Sequence, residues 1–157
     1  AAWLAAEGAT RVLDVGAGAG RFCLVGALTT GLTFTGVEQR PWLVEAARAA
    51  AEALAVPRVD FRCEDALALD WSGWDGFYLF NPFAEHLLPE EECIDLAHRQ
   101  GPDGFDAVVT SVEQRLTAAP ADTVVVTWNG FGGAFEGYAC VRRRWLMHTA
   151  LDCLRKR

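Results

Sequence analysis

Short apolar runs rich in β-branched residues recur along the chain, each closed by Gly, Pro, Asp or Asn, and helix-forming stretches separate several of them. Residues 10–15 end at Gly16, as a buried strand does when a tight turn follows, and a helical stretch runs from Arg21 to Leu28. A second strand is predicted over 33–38. Pro41 and the Ala-rich stretch 42–54 then predict a helix, with proline at its first position. Further strands are predicted over 58–62, 76–80 and 123–127. Before the last of these, Phe105, Val108, Val109, Val112 and Leu116 recur at helical spacing and give that stretch one apolar face.

Strands alternating with helices imply right-handed crossovers and an α/β, doubly wound, mainly parallel sheet covered on both faces. After Gly130-Phe-Gly-Gly133 the pattern changes. Residues 138–146 and 149–155 lie too close together for a helical crossover, so they are expected to pair as an antiparallel hairpin and complete a seven-stranded sheet. No repeat, low-complexity tract or linker interrupts this, and residues 1–157 read as one domain. The opening at Ala1, with a strand predicted by Arg11, reads as a piece of something longer.

Composition narrows the functional classes. With 52% hydrophobic and 22% charged residues, disorder and collagen-like structure are excluded. The formal charge of −7 makes nucleic acid a poor expected partner and favours a small molecule or a protein. No apolar run approaches the roughly 18–20 residues of a spanning helix and no basic segment precedes an apolar one, so no membrane partner is expected. Five widely spaced cysteines with no CxxC pair fit neither a disulfide framework nor a zinc site; they are expected to be buried, reduced thiols, in a cytoplasmic protein. Residues 141–157 hold six basic groups and one acid, against eight and twenty in 1–140, and on an edge hairpin such charges are expected to be solvated.

The candidate chemistry begins at Asp14-Val-Gly16-Ala-Gly18-Ala-Gly20, between a predicted strand and a predicted helix. Glycine admits positive φ and lets a ligand approach bare main chain, while the following helix offers free N–H groups. A dinucleotide fingerprint would need glycine at position 21, where the chain has Arg21, which disfavours a nicotinamide-dependent oxidoreductase. An acid followed by G-x-G-x-G resembles the first motif of the class I S-adenosylmethionine-dependent methyltransferases. Glu38 ends the second strand eighteen residues beyond Gly20, where a carboxylate can accept hydrogen bonds from ribose hydroxyls.

The resemblance implies a Rossmann-like methyltransferase fold, S-adenosylmethionine as cofactor, and roles at matching positions. Asp14 would help hold the glycine turn and the methionine end of the cofactor, and Asp65, in Cys63-Glu-Asp-Ala66, would meet the adenine amino group with Ala66 beside it. Asn81-Pro82-Phe83 ends the fourth strand at the expected switch point and resembles the D/N-P-P-Y/F motif of amino-group methyltransferases, without its second proline. Asn81 and Phe83 are the candidate catalytic residues, with Asn81 also bordering the cofactor, and the acceptor is expected to be a small molecule or a protein. Glu85 and His86 are the nearest candidate bases, and residues 85–104 are either a lid over the pocket or a short capped helix. With the motif incomplete, the alternative function is a methyltransferase-like binding module without catalysis. No residue pattern implies a metal or sets an oligomeric state.

Overall fold

The computed structural model describes residues 1–157. Seven strands form one sheet: β1 (Arg11–Val15), β2 (Thr33–Glu38), β3 (Val59–Cys63), β4 (Gly76–Phe80), β5 (Val124–Trp128), β6 (Tyr138–Leu146) and β7 (Thr149–Lys156). Their order is β3-β2-β1-β4-β5-β7-β6. The first five are parallel, β7 joins β5 antiparallel, and β6 pairs with β7 as the expected hairpin. The helices are α1 (Ala2–Ala6), α2 (Arg21–Thr29), α3 (Pro41–Ala53) and α4 (Gly101–Ala118).

Alternation along the strands divides the apolar side chains between two cores. On one face Val12, Phe34, Phe61, Val124 and Val126 pack with Leu4, Cys23, Leu24, Val44 and Ala47 of α1 to α3. On the other, Leu13, Val15, Phe77, Leu79 and Val125 pack with Val112 and Leu116 of α4 and with Trp71. Chain order reverses between β1 and β4, so the switch point lies where the sequence places it, at the carboxyl ends of these strands.

Three features go beyond or against the sequence reading. No α-helix joins β3 to β4; two 3-10 turns, Ala66–Ala68 and Trp71–Gly73, replace it, each capped by an aspartate, Asp65 on Leu67 N–H and Asp70 on Ser72 N–H. Trp71 covers the sheet there, stacked on Phe77 at 5.1 Å, with its indole N–H donated to the Ala66 carbonyl at 2.8 Å. The thiols are unpaired, yet only Cys23 and Cys153 are buried; Cys63 and Cys140 are exposed. The hairpin cations are exposed, as expected, and several also form surface ion pairs. Arg142 pairs with Glu7, Arg143 binds Asp152 through two nitrogens, and Arg155 pairs with Asp122.

No helix is long and apolar enough to cross a membrane.

Candidate functional site

The turn after β1 is built from its glycines. Gly16, Gly18 and Gly20 have φ of +75°, +56° and +78°, a region that costs other residues strain. Gly16 and Ala17 donate their N–H groups to the Val37 carbonyl at 3.0 and 2.9 Å, which ties the turn to the end of β2. A Cβ on Gly18 would meet nothing within 4 Å, so bare main chain faces open space there. Gly20 differs. A Cβ on it would fall 2.4 Å from the Phe61 ring, so this glycine lets the turn pack on β3.

Glu38 is the centre of the arrangement. Its Oε2 accepts from the Gly18 N–H at 3.2 Å, and its Oε1 accepts from the backbone N–H and a guanidinium N–H of Arg40. A carboxylate has about four acceptor positions, so little is left for a ribose while Arg40 stays in place. Arg40 also binds Glu85 and, at 2.6 Å, Asp95, and so fastens the segment 84–100 over the ends of β1 and β2. That segment contains two 3-10 turns, Ala84–His86 and Glu90–Glu92, and supplies Glu85, Ile94, His98 and Arg99 to the cavity beneath it.

This cavity, about 240 Å³, has Gly16, Gly18, Glu38, Asp65, Ala66, Asn81 and Phe83 among its lining residues. Of the residues singled out from the sequence, Asp14 and Gly20 alone stand behind it. Asp14 is only 3% exposed, and its Oδ2 accepts from the Cys23 thiol at 3.3 Å. Burial pushes the Asp14 carboxyl up to about 7, a rise opposed by the Cys23 hydrogen bond and reinforced by the charge of Glu38. Cys23, buried beside that carboxylate, has its thiol pKa raised and behaves as a core residue. His86 accepts the Gln100 N–H on Nδ1, and burial lowers its pKa.

Asn81 adopts φ +45° at the end of β4, a left-handed conformation that asparagine tolerates better than most residues. Asn81, Phe83 and Ala84 border both the main cavity and a second hollow of about 170 Å³ on the other side, next to α4 and the end of β5. No cluster of side chains suited to a metal ion is present.

Sequence reading missed Arg40, Arg99 and His98. The position of Arg40, two residues beyond a strand-end acid and next to the proline that opens α3, is a signal, but its partners Glu85 and Asp95 lie 45 and 55 residues away.

A family model for a methyltransferase domain matches residues 6–121. No curated protein matches the chain. Among solved structures, an RNA methyltransferase from Salinibacter ruber in complex with S-adenosyl-L-homocysteine is similar at 22% identity and a TM-score of 0.67, over 97% of this chain and 86% of its own. The yhhF protein from Escherichia coli is similar at 13% identity and a TM-score of 0.67, over 99% and 80%. TrmN from Thermus thermophilus is similar at 19% identity and a TM-score of 0.68, over 99% of this chain and 47% of its own. At these identities the likeness is one of fold.

Proposed function

The chain belongs to the methyltransferase-domain family, and from that premise we propose that residues 1–157 act as one domain that transfers a methyl group from S-adenosylmethionine to a small-molecule or protein acceptor. The carrying observation is the cavity itself, lined together by the bare main chain of Gly16 and Gly18, the strand-end carboxylates Glu38 and Asp65, and the Asn81-Pro82-Phe83 corner. Its features fit the cofactor: space in front of Gly18 where a Cβ would project, and a buried Arg99 Nε with no acceptor of its own. Its volume lies below the roughly 300 Å³ at which sites for drug-sized ligands begin. An adenosine-sized ligand therefore enters as the Arg40 guanidinium swings off Glu38 and the segment above shifts outward.

In this reading Glu38 accepts the ribose hydroxyls, Asp65 accepts the adenine amino group beside Ala66, and the turn from Gly16 to Gly20 lies under the ligand, with Asp14 anchoring it from behind. When bound, the cofactor supplies a methyl group on a positively charged sulfur. The chain's own residues need only align an acceptor in line with that methyl and exclude water. Asn81 and Phe83, between the two hollows, hold the acceptor, and no protein nucleophile takes part. The net charge of −7 and the internal pairing of Arg142, Arg143 and Arg155 support an acceptor other than a nucleic-acid chain.

Calorimetry with S-adenosylmethionine and S-adenosylhomocysteine tests the reading, followed by transfer of labelled methyl into fractionated cell extract. Binding of both, with transfer lost in Asn81→Ala, is expected. A folded protein that binds neither refutes it.

A further inference from the structure

The hairpin of β6 and β7 ends in a turn whose chemistry the fold does not require. Its strands continue two residues each past the pairing of Trp128 with Leu151, where β5 stops, so the tip projects about 7 Å beyond the carboxyl end of the sheet. Turns in water are ordinarily polar. Here Trp145, Leu146 and Met147 follow one another and are 65%, 37% and 96% exposed. Met147 opens the two-residue turn at φ +55°, a position that glycine or asparagine fills at less cost. Directly behind stand Arg142, Arg143 and Arg144. Arg143 lies over the Trp145 ring at 5.5 Å and pairs with Asp152, Arg142 pairs with Glu7, and Arg144 is exposed with no carboxylate partner. Residues 141–157 carry a net +5 on a body of −12, and salt screens the distant acids beyond about 8 Å. A cross-strand row joins the tip to the site. Phe80, Trp128, Leu151 and Arg144 stand opposite one another across β4, β5, β7 and β6, and Phe80, half exposed, borders the cofactor cavity.

We infer that this tip docks on an anionic lipid surface. Leu146 and Met147 enter the boundary between headgroups and acyl chains, Trp145 lies at headgroup depth, and the three arginines meet lipid phosphates. Docked in this way, the chain turns the carboxyl ends of its parallel strands, and the cavity between them, toward the bilayer. The lack of a spanning helix, which argued against a membrane partner in the sequence, does not bear on contact of this kind. Other anionic partners fit less well. A single-stranded nucleic acid offers phosphates and flat bases, for which Leu146 and Met147 have no complementary group. A protein partner needs roughly 1,200 Å² for a stable interface, which a turn this narrow does not supply. A second copy meeting tip to tip would set one group of arginines against another. The inference is independent of the methyl-transfer reading.

The test is flotation of the full chain with vesicles of phosphatidylcholine alone, or of phosphatidylcholine and phosphatidylglycerol in equal parts. Binding to the mixed vesicles, weakened by added salt, is expected. Met147→Asp and, separately, Arg144→Glu are each expected to weaken it by about tenfold or more while leaving the melting temperature unchanged, since both side chains are exposed. Lipids brominated in their acyl chains are expected to quench part of the tryptophan fluorescence, and Trp145→Phe to remove the quenched part. No flotation, equal flotation with neutral vesicles, or flotation that Met147→Asp leaves intact overturns the inference. Tighter binding of a short single-stranded RNA, or a dimer in analytical ultracentrifugation that Met147→Asp dissociates, assigns the tip to another partner and overturns it equally. None of these residues borders the cofactor cavity, so failure here leaves S-adenosylhomocysteine binding, and the function proposed above, untouched.

Discussion

Asp14 makes stability depend on pH in an unusual direction. Its carboxyl is pushed from an ordinary value near 3.8 to about 7 by burial, so between those pH values the folded chain carries a proton that the unfolded chain has lost. Where the native state binds more protons, stability falls as pH rises. A separation of about three units, at about 1.4 kcal/mol each, amounts to roughly 4 kcal/mol lost between pH 4 and pH 7, with no further loss above. Other groups act differently. Hydrogen bonds from Thr10 and Arg11 hold the Asp75 carboxyl below its usual range, which adds stability that is lost only as pH falls below about 4. The lowered pKa of His86 works against Asp14, adding stability as pH rises through the ordinary imidazole range. The comparison with Asp14→Asn isolates the carboxyl, because asparagine keeps an oxygen for the Cys23 thiol and cannot ionise. Urea denaturation of both proteins at pH 4.5, 5.5, 6.5 and 8 is expected to show the variant gaining steadily on the wild type, by up to about 4 kcal/mol at pH 8. An unpaired amide would shift the variant by a constant amount and leave this trend intact. Two curves that stay parallel within about 1 kcal/mol refute the burial argument.

Gly20→Ala forces a Cβ into the Phe61 ring at positive φ and is expected to cost about 2–5 kcal/mol in chemical denaturation. Gly18→Ala, with open space ahead of it, should cost only about 1–2 kcal/mol, while lowering S-adenosylhomocysteine affinity measured by calorimetry. If Glu38 receives the ribose hydroxyls as proposed, Glu38→Gln is expected to weaken that ligand by about 10- to 100-fold, the effect of about 1.5–3 kcal/mol. Arg40→Met unfastens Glu85 and Asp95, so amides in 84–100 should exchange hydrogen faster while those of β1 and β4 keep their protection. Unchanged exchange in 84–100 would show that the segment is held by something else.

The strands were legible because burial wrote them plainly. β1 and β5 are near-continuous apolar runs ended by glycine or asparagine, and β2 and β4 run over the residues that alternation and turn signals predict. The hairpin followed from chain length, since the two residues between its strands cannot cross a sheet. Two features had no local signal. Helix α1, with Ala1 at its N-cap and no capping side chain, forms because Leu4 is fully buried in the core. The 3-10 turns between β3 and β4 had no sequence signal either; there Trp71, buried and stacked on Phe77, covers the sheet. In the site, Gly16, Gly18, Glu38 and Asp65 were readable because their positions at strand ends are themselves the signal. Arg40 was not, because its meaning lies in carboxylates brought near only by folding, and neither was the second hollow, which is assembled from three separated stretches of chain.

One carboxylate, that of Glu38, closes the loop, tethers the segment above and, in the function proposed, would receive the ligand. Variation at this position is therefore judged on three counts at once, and a substitution that suits one of them offends the other two. Tuning of cofactor preference has a freer path through Gln39, Leu43 and Glu64, which border the same volume without these shared obligations, and a library aimed at altered cofactors would draw its gains from them.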